Sequence, residues 1–172
     1  MESSQPVKLL LRDIIESDLP IFFEQQLDPR ANFMAAFVRE NRADREAFMA
    51  HWEKILSDEK IRIKTIVFGG QVAGYVSHHP WFGEPEVSYW IGTEFWGRGI
   101  ASAALAEFLR VERTRPLHAH VAIDNLGSRR VLEKNGFVLS GQGRGYSHAR
   151  GGEVEELILT LVWAKNEDLP PP

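Results

Sequence analysis

EFWGRGIASAALAEFL, residues 94–109, sets Gly97 and Gly99 immediately ahead of an alanine- and leucine-rich run with helical spacing. Glycine takes positive φ readily and lets another group approach the main chain closely. A helix that opens just behind such a turn adds unpaired N–H groups and the positive end of its dipole, worth about 0.3–1 kcal/mol toward an anion. The stretch therefore reads as a phosphate cradle built from the amides of Gly97, Arg98, Gly99, Ile100, Ala101 and Ser102. Arg98 either turns inward as a cation or stays solvated. Ser102 either donates to a phosphate oxygen or caps the helix. A nucleoside-triphosphate loop needs Lys-Ser/Thr behind its last glycine, and none is present. A dinucleotide fingerprint stays as a remote alternative: Asp124 closes the next strand where a ribose-binding acid belongs, but Ser102 stands at the third glycine position.

Working outward, the chain reads as strand 7–14, a helix after Ser17 or Asp18, and an amphipathic helix over 43–57. IRIKTIVF (61–68) and VAGYVSHH (72–79), separated by Gly69-Gly70, predict a hairpin. Strand 86–92 follows the bend PWFGEP. The helix behind the glycine turn is expected to bury Ala101, Ala104, Leu105, Phe108 and Val111. Strand 117–123, a helix from 126 stopped at Asn135-Gly136, and a closing hairpin around Gly151-Gly152 complete the order. Antiparallel hairpins with a single crossover imply an α/β (α+β) domain whose mixed, mostly antiparallel sheet is flanked by helices. One domain covers 1–172, with its core at about 7–163 and a loose tail over 164–172.

With 44% hydrophobic and 26% charged residues the chain is an ordinary globular sequence, and a net charge of -4 offers no basic face to nucleic acid. It has no cysteine, hence no disulfide, thiolate nucleophile or cysteine zinc site. The start matches no secretory or transit pattern, and no run approaches a membrane span, so no membrane and a cytoplasmic location are expected. His118 and His120 share a strand face, yet two imidazoles without a third ligand imply no metal.

YWIGTEFWGRGIASAAL (89–105) followed by AIDNLGSRRVLEKNGF (122–137) resembles the GCN5-related N-acetyltransferase (GNAT) superfamily, and most of all its RimJ/RimL-type ribosomal-protein alanine acetyltransferase branch. The resemblance runs over residues 7–162. It implies the acetyl-CoA N-acyltransferase fold with a central parallel strand pair, acetyl-CoA as co-substrate, a primary amine as acceptor (peptide or small molecule), and frequent homodimers. The family's turn usually opens with Gln or Arg, where Trp96 stands here. The pantetheine arm is expected along the edge of Trp90, Ile91 and Gly92, with Thr93 following, by strand addition. Asn125 is expected to bond the coenzyme or to cap the next helix, with Ser128 as its companion. Arg129, Arg130 and Lys134 either meet the nucleotide phosphates or form a solvated face.

Acetyl transfer needs a neutral amine and a stabilised leaving thiolate. The resemblance places the general base at Glu86, with Glu84 as its rival. It also places a proton-donating tyrosine where this chain has Leu132, which holds no proton. Ser128 or Tyr146 then serves as acid, or solvent does. The same departure keeps open a CoA-binding regulator without catalysis. Phe22, Phe23, Phe33, Phe37, Trp81 and Phe82 mark the regions where the family forms its acceptor groove.

Overall fold

The computed structural model describes residues 7–164. The tail beyond them, like the first six residues, lies outside that range. A seven-stranded sheet in the order β1-β2-β3-β4-β5-β7-β6 carries the molecule. In chain order the elements are β1 (Leu9–Arg12), α1 (Asp18–Gln25), α2 (Pro29–Ala35), α3 (Arg45–Ser57), β2 (Arg62–Phe68), β3 (Gln71–Trp81), β4 (Glu84–Ile91), α4 (Ile100–Val111), β5 (Leu117–Ala122), α5 (Leu126–Lys134), β6 (Val138–Ser147) and β7 (Gly152–Leu161), with a 3-10 turn at Thr93–Phe95. Neighbouring strands are antiparallel except β4 and β5. This is the mixed sheet expected from the sequence, with its single parallel pair near the centre.

That parallel pair is bridged only at Glu86–His118. β4 runs on to Ile91 and β5 to Ala122 without a further rung, so the two strands part toward their C-terminal ends. The sheet therefore has a wedge in its middle, with backbone groups unpaired across it.

Side-chain alternation sorts the two faces. Val87, Leu117, Ala119, Val121, Leu157 and Leu159 pack with Ile100, Leu105 and Phe108 of α4 and Leu132 of α5 in the main core. Phe22, Phe23, Phe48 and Trp52 of α1 and α3 form a second cluster against Ile63, Val72 and Tyr75 on the opposite face. Phe22 and Phe23, which lie in the regions where the resemblance sets the acceptor groove, are themselves core. α4 also turns differently from the expected stripe: Leu109 is buried while Val111 is 69% exposed at the helix end.

Three further features differ from the sequence expectation. α2 is an additional helix whose start signal is Asp28-Pro29: Pro29 opens the helix and the Asp28 carboxylate accepts from Arg30 N–H at 2.8 Å. PWFGEP is a tight hairpin rather than a bend, because Phe82 and Gly83 take φ of 48° and 82° and set Pro80 opposite Pro85. Asp18 does not cap α1. Its buried carboxylate takes two hydrogen bonds from Arg12 at 2.7 and 2.8 Å and others from Ile15 N–H and Thr65 Oγ1, bolting the helix to β1 and β2. Among the described residues, no helix is long and apolar enough to cross a membrane.

Candidate active site

The wedge between β4 and β5 opens into a cleft of about 440 Å3, a size that suits a cofactor-sized ligand. Its walls are Tyr89, Trp90 and Ile91 of β4, the turn at Trp96, Gly97 and Gly99, the first turn of α4 (Ile100, Ala101, Ser102), and Asn125, Gly127 and Ser128 at the start of α5. Ala31, Met34 and Ala35 of α2 close it from above, while Arg130 and Lys134 bring positive charge to its rim.

Gly97 and Gly99 take φ of 76° and 73°, and a Cβ at either would meet nothing within 4 Å. Backbone strain, not crowding, reserves both places for glycine. The turn leaves the main chain bare toward the cleft. α2, α3 and α5 are capped by Asp28, Asp44 and Asn125, but α4 begins at Gly99 with no side-chain cap. Its first amides thus face a ligand space unspent, and the helix dipole adds to their pull on an anion. Trp96 holds the turn in place: its indole N–H donates to the Ile91 carbonyl at 2.9 Å.

The sequence-predicted residues divide into groups. Trp90, Ile91, Gly97, Gly99, Ile100, Ala101, Ser102, Asn125 and Ser128 come together around the cleft. Gly92 and Thr93 lie beside it: Gly92 is buried and donates to the Ala73 carbonyl at 2.9 Å, and the Thr93 hydroxyl donates to Asp28 at 2.6 Å. The Arg98 guanidinium is exposed and sits 5.9 Å over the Phe95 ring. Asn125 accepts from Ser128 N–H at 3.2 Å and donates to the Met34 carbonyl at 3.2 Å, so its amide caps α5 and fastens α2 over the cleft. Tyr146 stands apart on β6, 59% exposed and edge-on to His148.

Glu86 stands at the closed end of the wedge, on the sheet face opposite Tyr89, and is 9% exposed. Burial pushes its carboxyl above the ordinary range, Glu156 adds to that rise, and His120 with its main-chain N–H opposes it. The His120 ring lies 4.0 Å from Glu86 and 3.2 Å from Glu156. His118 bonds Thr160 Oγ1 at 2.8 Å and lies 3.6 Å from the exposed Glu84. The two histidines are thus engaged with carboxylates and a hydroxyl. Asp124, which a dinucleotide enzyme would spend on a ribose, is held by Arg150 through two bonds of 2.7 and 2.9 Å.

A family model for the acetyltransferase (GNAT) domain matches residues 8–138. The chain belongs to the GNAT acetyltransferase family. This GNAT acetyltransferase is 29% identical over 126 residues to the putative ribosomal N-acetyltransferase YdaF of Bacillus subtilis (strain 168), a match covering 69% of this chain and 68% of that one. Among solved structures, the ribosomal-protein-alanine N-acetyltransferase from Brucella melitensis superposes with a TM-score of 0.75 at 23% identity, over 90% of this chain and 99% of the other. The microcin C7 self-immunity acetyltransferase MccE, solved with acetyl-CoA and AMP, gives 0.73 at 19% identity over 90% and 92%. At these identities the structural likeness is one of fold. Family membership supplies the reaction class, acetyl transfer from acetyl-CoA to an amine, and removes the dinucleotide reading.

Sequence reasoning missed three contributors to this site. The α2 residues follow from the unread Asp-Pro signal. The Trp96 bond to Ile91 joins positions five apart across a turn, which no periodicity reports. Tyr89 was read only as part of a strand, and its hydroxyl pairs with Ser128 across 39 positions of sequence.

Proposed function

We propose that this GNAT acetyltransferase holds the diphosphate of acetyl-CoA on the Gly97–Ser102 main chain and delivers the acetyl group to a primary amine, either a protein N-terminal α-amine or a small-molecule amine. One observation carries the reading: the start of α4, which has no side-chain cap, faces a ligand-sized space behind two positive-φ glycines. The pantetheine arm, with peptide-like amides, adds as a strand along Trp90–Ile91, where β4 lacks a partner. Arg130 and Lys134 at the rim meet the nucleotide phosphates, and Arg98 contributes through its backbone.

In the reaction Glu86 accepts the proton of the acceptor ammonium through water. Burial in front of Glu156 gives it a basicity above that of an ordinary carboxylate, which favours proton capture near neutral pH. The amine nitrogen then attacks the thioester carbonyl, whose developing charge meets the unpaired N–H groups of the wedge. The C–N bond forms, the C–S bond breaks, and sulfur keeps the electron pair. A cytoplasmic location and a homodimer belong to the same proposal; light scattering after gel filtration tests the second.

The test has two parts. Calorimetry with CoA measures binding, and a thiol-release screen over peptides with free N-termini and small amines measures transfer. Binding with turnover supports the enzyme. Binding without turnover on any acceptor supports a CoA-responsive regulator, for which Leu132 speaks. No heat with CoA overturns both.

A further inference from the structure

With Glu86 as the base, the acceptor approaches over the sheet face that carries it. On β4 that face is the row Glu86, Ser88 and Trp90, alternate residues on one side of the strand. The far end of the row is covered by Arg42, from the segment that joins α2 to α3. Its guanidinium carbon lies 4.7 Å from the centre of the Trp90 ring. Arg42 Nε donates to Asn32 Oδ1 at 3.2 Å, and Gln26 Nε2 donates to the Arg42 carbonyl at 2.7 Å, so the residue is held at both its side chain and its main chain.

Its outer fork is not held. Arg42 Nη2 is buried without a hydrogen-bond partner, and no carboxylate among the described residues pairs with the guanidinium. The indole Nε1 of Trp90, in the same stacked pair, is buried and unpartnered as well. Two open donors in one place call for an oxygen acceptor, and the planar fork of a guanidinium matches a carboxylate. The neighbourhood stays positive: burial, and then the charges of Arg39, Arg42 and Lys54, press the His51 imidazole down to about 4. The near end of the row is the reverse, since Glu86 and Glu156 stand together around His120.

We infer that Arg42, stacked on Trp90, is an oxyanion site for the acceptor: the amine that is acetylated carries a carboxylate, which the Arg42 fork takes while the ammonium faces Glu86. This rests on the amine-transfer reading above and names the chemical class of its substrate. Opposite charges at the two ends of one row fit a zwitterion and fix its direction on the sheet. Trp90 and Glu86 are four residues apart, about 13 Å along the strand, and the water that relays the proton to Glu86 takes up part of that span. A free amino acid, or a peptide whose first residues include an acidic one, supplies both charges. A simple polyamine supplies no anion and leaves Arg42 uncompensated.

The experiment measures thiol release from acetyl-CoA by the intact protein with matched pairs of acceptors. One series sets free amino acids against their carboxamides; the other sets short C-terminally amidated peptides that begin with aspartate against the same peptides beginning with asparagine. In one of the two series the carboxylate member is expected to exceed its neutral partner in kcat/KM by about 10–100-fold, mainly through the acceptor KM, as a charge-assisted hydrogen bond dictates. The series that shows the preference separates a small-molecule acceptor from a protein N-terminus. Arg42→Gln brings the ratio near one, Arg42→Lys keeps part of it, and CoA calorimetry reports whether each variant is folded. Equal rates for both members in both series overturn the inference on the wild type alone, with the transfer reading intact. So does a preference that survives in folded Arg42→Gln. No thiol release with any acceptor removes the transfer reading, and this inference with it.

Discussion

Glu86 is the residue on which the proposed chemistry turns, and its surroundings fix the sign of the pH response. The base works when ionised. Its raised pKa, set by burial and by Glu156 against His120, means that kcat/KM declines as pH falls through that value. Glu86→Gln removes this acid limb and lowers kcat by about 10²–10⁴, the usual weight of a general base, with CoA affinity retained. A pH–rate profile with parallel calorimetry checks both. The sequence pointed to Glu86 only through family resemblance; what raises its basicity is burial together with Glu156 of β7, brought near through the pairing of β4 with β5 and of β5 with β7. The Asn125 alternatives show the same limit. An N-cap and a ligand for coenzyme use the same side chain at the same helix start, and spacing alone cannot separate them. In the folded chain its amide is bonded to Ser128 and Met34.

At the scale of elements, the glycine turn and α4 were the most legible part of the chain, since everything that makes them is local. Bare main chain, positive φ and the helix start all lie within a few residues. Gly99→Ala forces φ of 73° on a substituted residue, at about 1–2 kcal/mol, and tilts the first amides of α4. Acetyl-CoA affinity should fall at least tenfold. Gly151→Ala in the β6–β7 turn, at φ of 67° and equally open, is the control: similar loss of stability in denaturant, with affinity unchanged. The α1 anchor was illegible because Arg12, Asp18 and Thr65 come from three elements. The Asp18 carboxyl lies below its usual range despite burial, chiefly through hydrogen bonds from Arg12, Ile15 and Thr65. Its stabilisation is therefore complete above the unfolded value of about 3.9 and is lost as pH falls through the lower folded one. Asp18→Asn should cost on the order of 3 kcal/mol at neutral pH, from breaking a buried pair, and progressively less in acid. Urea titrations at several pH values measure it.

For the whole molecule, the order of strands and the crossover were readable from hairpin signals and one long strand-helix-strand stretch, whereas the depth of the wedge was not. It depends on how few rungs join β4 to β5. A ligand that binds the folded chain alone stabilises it by mass action, about 2.7 kcal/mol at a hundredfold excess over Kd. For a chain of 172 residues that amounts to a rise in Tm of roughly 5–11 °C with acetyl-CoA, readable by scanning calorimetry.

The lone Glu86–His118 rung makes the sheet two panels, β1–β4 and β5–β7, stitched at one end. The Gly92 N–H donates to the Ala73 carbonyl of β3, so the Trp90 amide two residues back faces β3 as well. The amides of Tyr89 and Ile91, which face the seam beyond that stitch, should take up deuterium early in the free protein. A guest lying in the seam supplies the missing rungs, so the same amides should exchange slowly once it is bound, making the donor a temporary strand of the fold it reacts in.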